Sequence, residues 1–572
     1  MRLTDAEVRG RHWLIGGGGA TVAAGSGVLA AWPLGPSLGP FLAEAADSAA
    51  LVGGTAGSLA AAGALVHHRW YFEPNRAFRR ELGDPDGWLS ARDVREQAGA
   101  RGLRHAATAS FAGRDMSEAP LHACGWEAGR LVSGPLRLRR TCVYAPWTRG
   151  TVILGPPGSG KSQYVTRPVL DAPGAAVVTS TKPELARATM AIRAATRGPV
   201  AVFNPEQLAG VISTFRWDPV AGCEDSAVAS ARAAALVRGS RGVRGVEDAT
   251  YWSGQAELIL RGCLMAAAIA GYRLDSVVSW VNQRHEPGTR QDPAPVEILR
   301  RAARDGWASV DATMPDMLHT ALTQHEKTAQ TVRTNVQDAL SFMANPKIAA
   351  AVTSSHGELL DLADFLANHG TLYLVGGAND SRIAPLFTAL VEAVFAQAQR
   401  AAAQAGGMLA PPVTFLLDEV ANLTPVPLDQ WAAEARGWGI TVFAVLQSRA
   451  QLATRWGRDA GDIIWGSLPV KVILPGVAST DDLDELAELG GRRRVRRDTE
   501  GASESGMGQR STSVSVSRPR ELLVDGDVIA RMPRHHAYVL GLSPRPAVVR
   551  YTPGYELVAT RRAALGLGQD RP

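Results

Sequence analysis

Apolar and polar positions divide the chain into stretches of different character. Residues 13–34 and 48–66 carry no charged side chain, and each is about the 20 residues that a helix needs to cross a bilayer. The turn between them holds Pro36, Pro40, Glu44 and Asp47 but no Lys or Arg. Arg2, Arg9 and Arg11 lie before the first stretch, and Arg69, Arg76, Arg79 and Arg80 follow the second. Since positive flanks stay on the cytoplasmic side, residues 1–75 are predicted to form a transmembrane helical hairpin. This implies a multi-pass protein of the inner, cytoplasmic membrane with both termini and everything after the hairpin in the cytoplasm. Gly16, Ala20 and Ala24 in one segment, and Gly53 and Gly57 in the other, would let the two helices approach closely.

Residues 76–120 are polar and read as a linker with a short helix over Leu89–Gln97. Between Cys124 and Tyr144 apolar residues alternate among scattered glycines, which predicts an edge hairpin. Short apolar runs then recur at 151–154, 174–179, 200–203, 371–375, 413–417, 440–446 and 469–474. Continuous runs of this length, separated by helical patterns, indicate buried parallel strands in a doubly wound α/β sheet. From 221 to 345 strand signals vanish. Helical patterns at Trp252–Ala270 and Leu318–Met343, the latter with Val332, Val336, Leu340 and Met343 on one face, predict an inserted all-α domain. The core thus divides into 121–220 and 346–572. Near its end stand an acidic helix at Asp481–Leu489, a basic strand, a Gly/Ser-rich loop at 501–508 and a Ser/Val alternation at 511–517, together a hairpin. Strands within Tyr538–Tyr551 close the fold.

Composition adds limits. At 572 residues several domains are expected. The four cysteines, Cys124, Cys142, Cys223 and Cys263, match no metal-ligand or disulfide spacing. A net charge of +5 is too small to argue for nucleic acid by itself, so that case rests on local clusters. Arg492, Arg493, Arg494, Arg496 and Arg497 form one that could follow a nucleic-acid backbone. The same charges could equally keep an edge strand from aggregating.

The sharpest chemical signal is Gly155-Pro156-Pro157-Gly158-Ser159-Gly160-Lys161-Ser162, entered from Thr151-Val152-Ile153-Leu154. It fits G-x-x-x-x-G-K-[ST] between a predicted strand and helix, where amide N–H groups can surround phosphates. Lys161 would reach the β- and γ-phosphates and Ser162 would hold Mg²⁺. The lysine is telling, since the chain has only five lysines against 55 arginines. A cleaved signal peptide at the N-terminus would export this loop away from its nucleotide and leave the second apolar segment unexplained.

The run Val413–Leu417 ends in Asp418 and Glu419, the Walker B pattern. Asp418 would hold Mg²⁺ and Glu419 would polarise the attacking water. Gln447, ending the run Ile440–Leu446, would sense the γ-phosphate or orient that water. Arg436 lies just before the same run and could serve a neighbouring subunit as an arginine finger.

In chain order stand the hairpin, Gly155–Ser162, Lys182-x-Glu184, the helical block with Trp252, Asp418-Glu419-Val420-Ala421-Asn422-Leu423 and Gln447-Ser448-Arg449-Ala450-Gln451-Leu452. This order resembles the type IV secretion coupling proteins, the TraG/TraD-like conjugative DNA-transfer ATPases in the FtsK/HerA class of P-loop ring motors. The resemblance implies a membrane-anchored homohexamer that hydrolyses ATP with Mg²⁺. It also implies recruitment of single-stranded DNA with its bound relaxase, or of protein, and delivery to type IV secretion channel proteins. It places Lys161, Ser162, Asp418, Glu419 and Gln447 in the roles above and puts Arg436 at about the arginine-finger position. Where the family often has D-x-K-G-E, Ser180 and Pro183 replace the acid and the glycine, leaving Lys182 without a clear role. An FtsK-like double-stranded DNA translocase is the alternative, but it would lack a large helical block between Lys161 and Asp418. A membrane receptor without ATP turnover fits poorly with intact Lys161, Asp418 and Glu419.

Overall fold

The computed structural model describes residues 78–568 apart from 80, 83–85, 112–113, 241–248, 287–288, 308, 354–358, 378–380, 496, 505–509 and 518. The expected membrane hairpin lies outside these residues. Among the described residues no helix is long and apolar enough to cross a membrane.

The stretch read as a linker carries more structure than its polarity suggests. Helix α1 (Ala100–Ser110) places Leu103, Ala107 and then Phe111 on one face, where they pack with Cys124 in a small core of their own. At 91–98 the chain forms one α-turn and a π-helical turn instead of the expected regular helix. Strands β1 (Gly125–Leu131) and β2 (Cys142–Pro146) then pair as an antiparallel hairpin.

The apolar runs become β3 (Thr151–Leu154), β4 (Ala176–Ser180), β5 (Val200–Phe203), β6 (Thr371–Val375), β7 (Val413–Leu417), β8 (Ile440–Leu446) and β9 (Val470–Ile473). Near the end come β10 (Arg492–Arg494), β11 (Arg497–Glu504), β12 (Arg510–Ser517), β13 (Arg520–Leu522), β14 (His536–Leu540) and β15 (Ala547–Arg550). Eleven of them form one sheet in the order β2-β1-β15-β14-β9-β3-β8-β7-β4-β6-β5. From β9 to β5 every neighbour is parallel, while β14, β15, β1 and β2 extend it antiparallel. Every residue of β3, β4, β6, β7, β8 and β9 is buried, as a sheet covered on both faces requires.

Helix α2 (Lys161–Asp171) follows β3 and α3 (Glu184–Thr196) follows β4. Pro168 lies inside α2 without ending it. Between β5 and β6 the ordered elements are helical. Helix α4 (Ser226–Gly239) packs against both α5 (Ala249–Ala270) and α6 (Ala384–Gln404), which covers the sheet after β6. The shorter helices Leu274–Asn282, Ala294–Arg304, Met314–Leu322 and Glu326–Ala339 surround α5. A Cβ on Gly262 would stand 2.8 Å from the Leu318 side chain, so the glycine permits this close crossing. The single helix expected over Leu318–Met343 is broken at 323–325, where the Thr323 hydroxyl turns back to donate to the His319 carbonyl.

Arg193 of α3 ties this half of the core together from a fully buried position. Its guanidinium donates to the Thr371 hydroxyl at 2.8 Å, the Ala172 carbonyl at 2.5 Å and the Gly174 carbonyl at 2.8 Å. Burial pushes its pKa down to about 10, still charged at neutral pH. Replacing it by methionine would strand those acceptors, so Arg193→Met is expected to destabilise the protein by about 3 kcal/mol, read as a lower midpoint in urea denaturation.

Candidate active site

Because β3, β8 and β7 are adjacent and parallel, their C-terminal ends open at one level. Leu154 is in register with Leu446, and Leu417 with Ala444. The turns that follow therefore meet: the glycine loop after β3, Gln447 after β8, and Asp418 and Glu419 after β7. This is the crevice outside the strand ends where open α/β sheets bind ligands.

The loop starts with the Gly155 N–H donating to the Leu446 carbonyl at 3.1 Å. Gly158 and Gly160 take φ of +81° and +96°, which favours glycine at both positions. A Cβ on Gly155 would come within 2.4 Å of the Ser159 hydroxyl. Lys161 opens α2 and its ammonium donates to the Gly155 and Pro156 carbonyls at 2.6 and 3.2 Å. Tyr164, one turn on, anchors the helix through its hydroxyl on the Ala128 carbonyl and through edge contacts with Trp126 and Tyr551. Trp126 in turn meets Phe443 of β8, so aromatic packing fixes the loop against the strand that carries Gln447.

Asp418 is 5% exposed. Its carboxylate accepts from the Glu419 N–H at 3.1 Å, and its carbonyl accepts from the Thr179 hydroxyl of β4. Burial, reinforced by the Glu419 charge, pushes its pKa up to about 6 against the pull of Lys161 and the Glu419 N–H. Glu419 adopts the left-handed conformation at φ +50°, unusual for a non-glycine residue and costing about 1 kcal/mol or more. Turned this way, its carboxylate accepts from the Gln447 side-chain amide at 3.2 Å. Burial lowers the Lys161 pKa while Asp418 and Glu419 raise it, so the three charges share one desolvated neighbourhood.

Two observations test whether these residues suit a magnesium nucleotide. The glycine loop leaves a cradle that side chains would fill. The Ser159 and Tyr551 hydroxyls, both at this loop, are buried without a hydrogen-bond partner in the protein. With an acidic pair and an ammonium alongside, the donor set fits a triphosphate and a hard divalent cation. Ser162 and Asp418 would hold that cation.

Arg436 is not brought to this crevice. It lies in the short turn before β8, at the opposite end of a strand roughly 20 Å long, and is exposed. Beside it is Arg149, just before β3, which sequence reasoning passed over. Its guanidinium donates to the Gly541 and Leu542 carbonyls, and burial, then the Arg436 charge, lower its pKa. The two guanidiniums thus share the far end of the sheet from their own chain's glycine loop.

The motif around Gln447 also gains roles hidden in the sequence. The Gln451 side chain accepts from the Gln447 N–H at 2.7 Å. Arg449 bonds Glu485 of the helix Thr480–Leu489 and Asp462 of the helix Arg458–Ser467, and faces the Trp465 ring. Lys182 is exposed just past the end of β4. Of the basic cluster, Arg492, Arg493 and Arg494 form β10, which pairs with β13. Arg492 is bonded to Glu488 at 2.6 Å. Arg496 lies outside the described residues, and Arg497 opens the antiparallel hairpin β11–β12, opposite Ser517.

The TraG-D_C family, described as the TraM recognition site of TraD and TraG, matches residues 412–534. Among solved structures, the bacterial conjugative coupling protein TrwBdeltaN70 in its unbound monoclinic form is 18% identical. That alignment covers 72% of this chain and 87% of that one, with a TM-score of 0.52. The plasmid coupling protein TrwB in complex with ADP and Mg²⁺ is 20% identical over 72% of this chain and 87% of that chain, with a TM-score of 0.50. A search of curated proteins by sequence gives no match. At these identities the structural likeness is one of fold. Together with the matched C-terminal region, it agrees with the resemblance to type IV coupling proteins.

The raised Asp418 pKa has a definite sign. At neutral pH its buried carboxylate weakens the fold, and that penalty disappears as pH falls through about 6 toward the ordinary carboxylate range. A bound cation relieves the same penalty, while a proton competes with it. Magnesium-dependent nucleotide affinity should therefore fall by about tenfold per pH unit below 6, measured by titration calorimetry. In Asp418→Asn the profile should be flat.

Proposed function

We propose that this relative of the conjugative coupling proteins is a magnesium-dependent ATPase that powers substrate transfer into a type IV secretion channel. The observation that carries the reading is the meeting of Lys161, Asp418, Glu419 and Gln447 at the ends of three adjacent parallel strands. The loop's N–H groups and Lys161 bind and orient the phosphates. Magnesium, when bound, supplies charge neutralisation at the transferring phosphoryl group. Glu419 takes the proton of the attacking water, and Gln447, held by Glu419, orients that water. Ser162 and Asp418 fix the cation's side of the site.

Arg436, with Arg149 beside it, acts on the nucleotide of an adjoining copy, since its own loop is at the far end of the sheet. This supports a ring, in keeping with the homohexamer of the family. The two uncharged segments at 13–34 and 48–66 anchor the ring in the membrane, with the core (121–220 and 346–572) and the helical insertion (221–345) in the cytoplasm. The substrate is single-stranded DNA bearing a relaxase, with the β10 arginines contacting phosphates. The region 412–534, whose family is named for TraM recognition, supports docking of a relaxosome protein on this half of the core.

Lys161→Ala is expected to abolish magnesium-dependent ATP hydrolysis by the full-length, detergent-solubilised protein. Glu419→Gln should keep nucleotide affinity and lose about 100-fold or more in turnover; normal turnover would move the base elsewhere. Mixing Lys161→Ala with Arg436→Ala subunits decides the last point. If Arg436 works across the interface, mixed assemblies regain activity that neither variant has alone, whereas absence of complementation would return it to a surface role.

A further inference from the structure

Strand β8 ends at Leu446, so the sheet fixes where Gln447 begins but not where its side-chain amide points. The turn that carries it is bonded within itself. The Gln447 N–H donates to the Gln451 side chain at 2.7 Å, the Gln451 N–H to the Ser448 carbonyl at 3.3 Å and the Leu452 N–H to the Arg449 carbonyl at 2.9 Å. Bonds of this kind shape the turn without fixing it to other elements.

Arg449 supplies the external hold. Its guanidinium bonds the Glu485 carboxylate and, at 3.1 Å, the Asp462 carboxylate, which belong to two different helices. It also stands 5.2 Å from the centre of the Trp465 ring. That indole, 6% exposed, takes the Lys471 ammonium at 4.8 Å. Lys471 is itself buried, lies in β9 in register with Val152 of β3, and donates to the Leu468 carbonyl at 3.1 Å. The guanidinium is therefore braced on an aromatic platform seated on β9, the strand on the far side of β3 from β8. Asp482, on the same helix as Glu485, is buried, and the Arg449 N–H and charge both favour its ionised form.

These contacts contribute direction more than stability. The Glu485 and Asp462 side chains are 33% and 64% exposed, and ion pairs in contact with water add little to a fold. Two residues before Arg449, the Gln447 amide donates to the Glu419 carboxylate at 3.2 Å. A group that must orient a reacting molecule needs such support, since a displacement of about 1 Å can cost about 100-fold in rate.

We infer that Arg449 is a positioning residue for ATP hydrolysis: held by Glu485, Asp462 and Trp465, it aims the Gln447 amide at the attacking water. The inference rests on the proposed water-orienting role of Gln447. The acidic helix Thr480–Leu489 thereby acts on the site through Arg449.

The test measures steady-state ATP hydrolysis and calorimetric ATP affinity on the full-length, detergent-solubilised protein. Arg449→Met is expected to lower kcat about tenfold and to leave the Kd for ATP within about twofold, which also shows that the variant is folded. Glu485→Gln, which alters only the partner carboxylate, should lower kcat about threefold with the same unchanged Kd. The deciding measurement is non-additivity: in Gln447→Ala, itself slow, neither change should reduce turnover further. A further loss of about tenfold in that background would give Arg449 a role independent of Gln447 and overturn the inference. Unaltered kcat in both Arg449→Met and Glu485→Gln would overturn it too, as would a Kd that rises in step with the fall in kcat. If Gln447→Ala turns over ATP like the unaltered protein, the water-orienting reading of Gln447 fails and the inference with it. A slow Gln447→Ala beside a normal Arg449→Met refutes the inference alone.

Discussion

The parallel alignment of β3, β8 and β7 is the constraint on which the rest of the site depends. Strands packed on both faces cannot slide, because every side chain is fitted to the close-packed helices above and below the sheet. Their registers therefore set the heights at which Gly155, Gln447 and Asp418 emerge. Trp126, Tyr164 and Phe443 lock the helix after β3 to the face of β8, so the loop is rigid where it must present backbone donors. A carboxylate and an ammonium can then be kept desolvated near each other without closing into an ion pair of their own. Lys161 is instead held by two loop carbonyls. A site arranged this way stabilises added negative charge and a hard cation better than it stabilises itself.

The same sheet separates the glycine loop from the other specialised parts of the chain. The helical insertion enters between β5 and β6, at the sheet edge remote from β3, so it can be large without disturbing the loop. The antiparallel extension through β14, β15, β1 and β2 buries the other side of β9 and delivers the C-terminal segment back to α2. Arg449 links the strand-end motif to two further helices, and Glu488 of the helix Thr480–Leu489 bonds Arg492 at the start of the basic strands. From Glu419 through Gln447 and this helix, hydrogen bonds and short peptide links connect the acidic pair to β10.

Much of this was legible in the sequence because the physics is local. Continuous apolar runs name buried strands, and the glycine pattern with Lys161 names its own geometry. Other features depend on contacts distant in sequence. The polarity of residues 100–110 conceals a helix whose Leu103 and Ala107 meet Cys124 only after folding. The periodicity through Leu318–Met343 continues across the break at 323–325. Gln451 and Arg449 stand in the sequence only as members of the motif after β8, and their partners appear with the fold. Arg149 gained meaning only when the sheet placed it beside Arg436. The C-terminal helix Gly554–Ala564 carries little amphipathic contrast, and its position against α2 is set by Gly554 and Gln163. Asp418 was legible as a candidate metal ligand, whereas its raised pKa depends on burial by strands far apart in the chain.

Arg436 and the glycine loop lie at opposite poles of one sheet, which makes each subunit a directed link. With the proposed trans role of Arg436, it would offer a cation at one pole and receive one at the other. Copies joined pole to pole make a file with a sense, like arrows laid nose to tail. If the file closed on itself, as the proposed function requires, every subunit would answer to one neighbour and instruct the other, and each hydrolysis event would have a next subunit built into the geometry.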